Sequence, residues 1–209
     1  MKFIFASGNN GKIEQARTLI KANGFNIELI PQKEIGFDED VIEDGETFEE
    51  NSKIKATALK NYCDKNGIEY DLVLADDSGL CVDILNGKPG VYSARWAGEG
   101  ASNDVILAHL LNELKEYQDM NDRGAEFATV FTGILPDGEV VVAKGICRGK
   151  ILKEYKKLHR LTYNPVFMPD GFDKPIGEMN EEELSKVHNH REHALIDLVN
   201  KLKEMNKYF

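Results

Sequence analysis

The sequence predicts an α/β fold, because segments with the period of a strand alternate with segments that have the period of a helix. Residues 2–6 are apolar and predict a strand, and residues 11–22 carry apolar side chains at helical spacing. A further apolar run, Leu72 to Leu74, is typical of a buried strand. The Asp-Gly pair at 137–138 joins two strand-like segments and indicates a β-hairpin. Such a mixture of elements is typical of an α/β protein.

The other elements follow from the same patterns in chain order. Residues 26–30 predict a second strand, and Thr47 followed by Glu50 has the form of a capping box, which begins a helix. That helix is expected to end near residue 65. The remaining predicted elements are a strand at 80–84, a helix at 103–117, hairpin strands at 126–135 and 139–146, and a helix at 181–205.

Composition limits the class of protein. With 209 residues, 42% of them hydrophobic and 30% charged, the chain is expected to be a soluble globular protein, neither disordered nor membrane-spanning. Its 36 acidic residues against 26 Lys and Arg give a formal charge of -10, which opposes a general affinity for nucleic acid. The N-terminal apolar run is too short for a signal peptide, so we expect a cytoplasmic protein. The three cysteines lack metal-ligand spacing and are expected to be reduced, structural thiols.

The turn between the first strand and the first helix is a candidate phosphate site. It reads Ser7-Gly8-Asn9-Asn10-Gly11-Lys12. A glycine-containing turn of this kind brings backbone N–H groups and the positive end of a helix to one point, and Lys12 adds a full charge. The segment is shorter than a P-loop and has no Ser or Thr after the lysine. A polar connection with an incidental lysine is the alternative.

Two adjacent acids, Asp76 and Asp77, follow the apolar run that ends at Leu74. Ligands of α/β sheets lie at the carboxyl ends of strands, so a strand that ends in two carboxylates indicates a metal or catalytic site. Neighbouring carboxylates repel each other unless a cation lies between them or one is protonated, and Mg²⁺ is the usual cation. The alternative is a surface turn, because Asp, Ser and Gly all favour turns.

A third candidate region combines an acidic loop with a basic helix. The loop at 37–45 delivers Glu43 beside a predicted helix on which Lys55 could face the same site. Acidic loops are usually only solvated, and Glu46, Glu49 or Glu50 could replace Glu43 as a metal ligand. In the last helix, the neighbouring His190 and Arg191 are not explained by amphipathicity, although an exposed polar face would also account for them.

Together these motifs resemble the Ham1/RdgB family of inosine triphosphate pyrophosphatases. The resemblance covers nearly the whole chain, and the motifs occur in the order found in the family. They are Ser7-Gly8-Asn9-Asn10-Gly11-Lys12, Thr47-Phe48-Glu49-Glu50-Asn51 with Lys55-Ala56, Ala75-Asp76-Asp77-Ser78-Gly79-Leu80, Pro89-Gly90-Val91-Tyr92-Ser93-Ala94-Arg95, and His190-Arg191 with Ala194-Leu195.

The resemblance implies a fold, an activity and partners. The fold would be a Ham1-type mixed twisted sheet flanked by helices, with two lobes around a central cleft, and residues 1–209 would form a single domain. The activity would be Mg²⁺-dependent hydrolysis of non-canonical purine nucleoside triphosphates, such as ITP, dITP and XTP, to the monophosphate and pyrophosphate. The protein would act on its nucleotide as a homodimer and would bind neither nucleic acid nor membranes.

The resemblance also implies roles for individual residues. Glu43 and Asp77 would hold Mg²⁺ with Asp76 beside them, and Asp76 and Asp77 are the catalytic candidates, Asp77 as proton acceptor for the attacking water. His190 and Arg191 would recognise a 6-oxo purine. The implied substrate-binding residues are Ser7, Gly8, Asn9, Asn10, Gly11, Lys12, Lys55, Ser78, Arg95, Tyr163, Asn164, His190 and Arg191.

Three positions depart from the family pattern. Leu161 stands where the family has an aromatic residue that stacks on the base, and Asn164 stands where it has Asp. Lys186 is near the place of a family lysine, but a residue is inserted there. These departures leave open two alternatives, a nucleotide-binding protein of the same fold with weak catalysis and an enzyme with altered base specificity.

Overall fold

The structure, a computed structural model, describes residues 1–156 and 162–207. Strands and helices alternate in the first third of the chain, as the periodicity predicts. The strands are β1 (Lys2–Phe5), β2 (Glu28–Pro31), β3 (Leu72–Val82), β4 (Gly124–Ile134), β5 (Val140–Ile151) and β6 (Phe167–Pro169). The helices are α1 (Asn10–Ala22), α2 (Phe48–Lys65), α3 (Asn103–Glu113), α4 (Glu181–Leu184) and α5 (His190–Glu204).

The strands form a mixed sheet in the order β2-β1-β3-β4-β5-β6. β1 pairs in parallel with both β2 and β3, whereas β6 pairs antiparallel with β5. The predicted α/β class, with a mixed sheet and flanking helices, is therefore confirmed.

The chain divides into two compact units. Unit 1 consists of Met1–Asp77, Thr129–Gly145 and Arg191–Phe209, and unit 2 consists of Ser78–Ala128 and Ile146–His190. The central cleft and the single domain over 1–209 stay predictions.

Unit 1 has apolar clusters that share strand β3. Leu72 and Leu74 belong to a cluster with residues of α1 and α5, among them Ile13 and Ala194. The alternate β3 residues, Val73 and Ala75, belong to a second cluster with Ala56 and Leu59 of α2. This is the alternation expected of a strand buried on both faces. Because it continues along the strand, it determines which helices Asp76 and Asp77 face.

In unit 2, an arginine occupies a buried position of the kind that apolar side chains usually fill. Arg123 is only 2% exposed and donates to four backbone carbonyls. Its guanidinium bonds the carbonyls of Ile151 at 2.7 Å, Leu114 at 2.7 Å, Tyr117 at 3.1 Å and Leu152 at 2.9 Å. It therefore joins the segment that follows α3 to the end of β5.

Two predicted elements differ from the structure. β3 does not end before the acids but continues as one strand from Leu72 to Val82, through Asp76 and Asp77. The predicted helix at 181–205 is broken into α4 and α5, and residues 185–189 between them are not helical beyond a turn. The break falls where Ser185 and Asn189 occur, residues with low helix propensity.

The remaining predictions agree more closely. Thr47 caps α2 in a reciprocal capping box with Glu50, and the predicted hairpin is present as β4 and β5. None of the three cysteines forms a disulfide, and burial raises the pKa of each thiol to about 11, which favours unreactive thiols. Within the described parts of the chain, every helix is too short or too polar to cross a membrane.

Candidate active site

The predicted phosphate turn lies between β1 and α1 in unit 1. Asn9 caps the helix, since its side-chain oxygen accepts from the backbone N–H of Lys12 at 3.2 Å. Ser7 is buried and its hydroxyl accepts from the N–H of Asn9 at 3.2 Å, while residues 8–11 are exposed. The first turn of α1 holds no acidic residue, so no side-chain negative charge there competes with an anion for the positive end of the helix.

Asp76 meets the cations contributed by α1 and α5. Its Oδ2 lies 3.0 Å from Lys12 Nζ and 3.6 Å from Arg191 Nε, and Arg191 also donates to Gln15 at 3.0 Å. Burial on its own would raise the pKa of Asp76, but the charges of Lys12, Arg191 and Lys55 outweigh it and hold that pKa well below its usual range. Asp76 is therefore an ionised counter-charge that fixes the two cations.

Asp77 meets α2 instead. Its Oδ2 accepts from Asn51 Nδ2 at 3.1 Å, and its Oδ1 lies 3.8 Å from Lys55 Nζ. Burial raises the pKa of Asp77, and Lys55 and Asn51, which act in the opposite direction, do not cancel that effect. Neighbouring side chains of a strand point to opposite faces, so the two acids have different partners.

The acidic loop also reaches Lys55. Glu43 Oε2 lies 2.7 Å from Lys55 Nζ, so the ammonium lies beside two carboxylates, those of Glu43 and Asp77. Two of the three alternative ligands, Glu49 and Glu50, are engaged elsewhere. Glu50 accepts from backbone N–H groups at the start of α2, and Glu49 lies 2.8 Å from Lys144 Nζ. The geometry therefore favours Glu43 among the candidate metal ligands.

A metal set of three carboxylates is not assembled. Within residues 1–156 and 162–207, no group of three or more His, Cys, Asp or Glu side chains is placed to hold a metal ion. Asp76 is separated from Asp77 by strand alternation and is paired with Lys12 and Arg191. The roles of Glu43, Asp77 and Asp76 as metal ligands stay predictions. The Glu43 and Asp77 carboxylates, which lie beside the Lys55 ammonium, fit Mg²⁺, because this ion usually takes one or two carboxylates with waters and phosphate oxygens.

The predicted base-recognition residues are placed in different ways. His190, the last residue of unit 2, stacks on Phe127 with ring centroids 5.1 Å apart and an interplanar angle of 20°. Arg191 is the second residue of α5 and belongs to unit 1. It lies near Asp76 and donates to Gln15. His190 and Arg191 are the first two residues of α5 and do not lie in the middle of a long helix. The amphipathic pattern of a helix interior therefore does not apply to them.

Other predicted substrate residues lie in unit 2. Tyr163 is buried and its hydroxyl donates to the carbonyl of Ser93 at 2.7 Å. The guanidinium of Arg95 lies 5.2 Å from the ring centroid of Tyr92. The carbonyl of Asn164 accepts from Gly177.

The two other departures and Ser78 complete the predicted set. Ser78 is half-buried in β3. Lys186 pairs with Glu182 four residues earlier, at 2.8 Å on the surface. Leu161 lies outside the described residues.

A model of the Ham1 family matches residues 3–201. The chain belongs to the Ham1 family. It is 40% identical over 206 residues to a dITP/XTP pyrophosphatase of Clostridium perfringens, with 99% of each chain covered. It is also 35% identical over 192 residues to a dITP/XTP pyrophosphatase of Bacillus subtilis, with 92% of each covered.

Solved structures agree with this family assignment. The Ham1 protein of Staphylococcus aureus matches with a TM-score of 0.81 and 34% identity, covering 98% of this chain and 100% of that one. A nucleoside-triphosphatase (dITP/XTP pyrophosphatase) of Mycobacterium abscessus matches with a TM-score of 0.70 and 33% identity, covering 98% of each chain. The resemblance inferred from the motifs is confirmed.

Sequence reasoning on this Ham1 chain gives no role to two site residues. Asn51 is on the same side of α2 as Lys55, and the signal for it is a polar side chain one turn after Thr47 and one turn before Lys55. Phe127 carries no such signal, because an apolar residue in a strand is usually a core residue.

Proposed function

We propose that this protein hydrolyses non-canonical purine nucleoside triphosphates, among them dITP, XTP and ITP, to the nucleoside monophosphate and pyrophosphate. The observation that carries the proposal is the cluster of Glu43, Lys55 and Asp77, in a chain 40% identical to a dITP/XTP pyrophosphatase. The cluster brings two carboxylates and an ammonium together in a Ham1 chain, which is the chemistry that binding and cleaving a polyphosphate requires.

Mg²⁺ fits this site. The Glu43 and Asp77 carboxylates would hold it, and it would supply a Lewis acid for the phosphoryl oxygens and a template for displacement at phosphorus. Lys55 lies beside both carboxylates, which shows that the pair attracts positive charge. The same ammonium is placed to pair with the phosphates of a bound nucleotide.

The protein's own cations bind the triphosphate. The positive end of α1 and the Lys12 ammonium bind phosphate oxygens at the turn that begins at Ser7. Asp76 holds Lys12 in place, because the two side chains are 3.0 Å apart and Asp76 is buried. This arrangement lets a protein with a formal charge of -10 bind a polyanion at one point.

Asp77 accepts the proton of the attacking water. Burial raises its pKa, and a carboxylate of higher pKa is the stronger base. Asn51 orients that carboxylate through its 3.1 Å hydrogen bond.

The base is read by His190 and Arg191. Their hydrogen-bond donors match the 6-oxo group of hypoxanthine and xanthine, whereas the 6-amino group of adenine would leave those donors unpaired, a mismatch that can be worth orders of magnitude in specificity. Stacking on Phe127 holds the imidazole of His190 in one plane.

The direct test is a substrate panel of dITP, XTP, ITP and ATP with Mg²⁺ and with the metal removed by a chelator. We expect pyrophosphate from the first three, little from ATP, and none without divalent metal. Release of inorganic phosphate in place of pyrophosphate would contradict the proposal.

Single substitutions test the two carboxylates. Asp77→Asn should lower turnover by roughly 10²–10⁴-fold, the usual contribution of a general base. Glu43→Gln should weaken the Mg²⁺ dependence, and Glu39→Gln in the same loop is the matched control that should change neither. Turnover of Asp77→Asn at the rate of the unsubstituted protein would show that another group accepts the proton.

The second candidate is a nucleotide-binding protein of this fold with weak catalysis or altered base preference. It is favoured by Asn164, which replaces the family's Asp. It predicts Mg²⁺-dependent binding of dITP without turnover, which calorimetry beside the product assay distinguishes. The same family membership supports a homodimer, which a mass measured by light scattering tests.

A further inference from the structure

Asn51 is a buried polar side chain that contacts Asp77 and the loop that carries Glu43. It is 1% exposed and lies on α2, one turn before Lys55. Its amide makes one hydrogen bond in each direction. Nδ2 donates to Asp77 Oδ2 at 3.1 Å, and Oδ1 accepts from the N–H of Gly45 at 2.9 Å.

The second of these bonds fixes the loop that carries Glu43. Gly45 follows Glu43 by two residues, and a Cβ added to Gly45 would lie 2.8 Å from Asn51 Oδ1. Only glycine therefore lets the loop backbone come this close to the amide. The next two N–H groups of the loop, those of Glu46 and Thr47, are both bonded to the Glu50 carboxylate.

The contacts form a closed ring within unit 1. Starting at Asp77, the ring passes through the Asn51 amide to Gly45, along the loop to Glu43, and through Lys55 back to Asp77. The covalent chain separates Glu43 from Asp77 by 34 residues, so without the ring their distance would depend on the loop alone. One amide thus ties the strand carboxylate to the loop carboxylate.

We infer that Asn51 is a positioning residue that sets the spacing and orientation of the Glu43 and Asp77 carboxylates before a metal arrives. Its own amide carries out no step of the reaction: it contacts the Asp77 carboxylate and the Gly45 N–H, and it acts through the two carboxylates. The inference rests on the proposed function for its metal and its reaction, whereas the loop geometry is a property of the free protein. Residues that orient metal ligands typically change metal affinity or activity by about 10–100-fold when replaced.

The test variant is Asn51→Leu, which has a similar volume and removes both hydrogen bonds. Asn51→Ala is the second variant, to be used should the leucine not fold. Ser52→Ala is the matched control. Ser52 is the next residue on α2 and is fully buried, and its hydroxyl bonds Thr132 at 2.7 Å, so its loss also removes a buried hydrogen bond.

Three measurements separate positioning from general stability. Amide hydrogen exchange at Gly45 in the free protein should accelerate at least about tenfold in Asn51→Leu, because the Asn51 oxygen that accepts from this N–H is removed, and should not change in Ser52→Ala. Binding of Mn²⁺ alone, followed by electron paramagnetic resonance, should weaken by about 10–100-fold. The kcat for dITP should fall by a similar factor, with KM changed much less, because the hydrogen bonds of Asn51 go to Asp77 and Gly45 and not to the phosphate turn.

Gly45→Ala attacks the same link from the loop. It should weaken Mn²⁺ binding as Asn51→Leu does, and the double variant should be no weaker than the worse single variant, since both break one connection.

Three results would overturn the inference. One is an Asn51→Leu variant whose Gly45 exchange rate and Mn²⁺ affinity are within twofold of those of the unsubstituted protein. Another is a Ser52→Ala variant that loses as much Mn²⁺ affinity and gains as much Gly45 exchange as Asn51→Leu. Absence of Mn²⁺ binding by the unsubstituted protein would overturn it as well. If that protein binds Mn²⁺ but releases no pyrophosphate from dITP, the proposed function fails, while Gly45 exchange and Mn²⁺ binding still decide the role of Asn51.

Discussion

The same substitution at two adjacent positions is expected to have different effects on stability. Asp76→Asn should destabilise the protein strongly, and Asp77→Asn should leave its stability almost unchanged. The reason is that Asp76 is ion-paired on both sides, with Lys12 at 3.0 Å and Arg191 at 3.6 Å, whereas Asp77 faces Lys55 at the longer distance of 3.8 Å.

The cost of Asp76→Asn follows from what it leaves behind. Lys12 and Arg191 would lose a shared counter-charge, and their side chains are only 26% and 13% exposed. Breaking a buried ion pair on one side costs roughly 3–5 kcal/mol. Because water reaches Lys12 in part, we expect a loss of about 3 kcal/mol, at the low end of that range. For a chain of this size that corresponds to a fall in Tm of roughly 6–12 °C.

The effect of Asp77→Asn on stability should be small, because the substitution removes a favourable attraction to Lys55 together with the unfavourable burial of a charge. The substituted side chain would still offer an amide oxygen to Asn51, and Lys55 would keep Glu43 as its nearer partner at 2.7 Å. The desolvation of a buried carboxylate and its repulsion by Glu43 would disappear. We expect a change within about 1 kcal/mol in either direction.

Thermal unfolding and urea denaturation at pH 7 without divalent metal measure both effects. Asp40→Asn, in the exposed acidic loop, controls for the change in net charge. A fall in Tm of less than about 2 °C for Asp76→Asn, when 1 kcal/mol corresponds to about 2–4 °C, would refute the assignment of Asp76 as a buried counter-charge. Equal destabilisation by the two substitutions would refute the division of roles.

Two further predictions concern unit 2. Arg123→Met should cost about 3 kcal/mol, because four backbone carbonyls, two of them in buried hydrogen bonds, lose their donor. Arg123→Lys should cost less, and urea denaturation compares the two variants. The second prediction concerns the pair of Arg148 and Asp83. The Arg148 guanidinium holds the pKa of Asp83 below its ordinary value. The pair therefore stabilises the fold fully at pH values above the ordinary pKa of Asp, and the stabilisation is lost as the pH falls through the lowered pKa of Asp83. Both side chains are largely exposed, so Arg148→Ala should cost at most about 1 kcal/mol at pH 7. The part of this cost that comes from Asp83 should begin to shrink as the pH falls below the ordinary pKa of Asp and should vanish only below the lowered pKa of Asp83, as Tm measured across that acidic range would show.

Local chemistry made several parts of this fold predictable. The capping box at Thr47 and the Asp-Gly turn of the hairpin depend on residues within a few positions of each other, and both are present. The order of motifs was also sufficient to indicate the Ham1 family. These features need no knowledge of which segments meet in space.

The path of β3 could not be predicted in the same way. Asp76, Asp77, Ser78 and Gly79 all favour turns or irregular structure, and local preference therefore ends the strand before them. The strand continues in the sheet between β1 and β4, and side chains from three helices, Lys12, Lys55 and Arg191, supply partners for the two carboxylates. Those partners are distant in sequence, and tertiary contacts outweigh β-propensity here.

The continuation of β3 is what gives the two acids separate tasks. In a turn, adjacent carboxylates can converge on one ion, which is how a metal site of Asp76 and Asp77 together was expected. In a strand the side-chain period is two, so neighbours must diverge, and each meets the helices on its own face. Asp76 then neutralises the cations of α1 and α5, while Asp77 joins Glu43 beside α2.

A slip of one residue in the register of β3 would exchange these positions and place Asp77 against Lys12. The apolar pairs that precede the acids oppose such a slip. Leu72 and Leu74 belong to the cluster of α1 and α5, and Val73 and Ala75 belong to that of α2, so any slip would move every one of them to the wrong face. The hydrophobic register of the strand therefore determines which carboxylate lies beside Glu43 and Lys55.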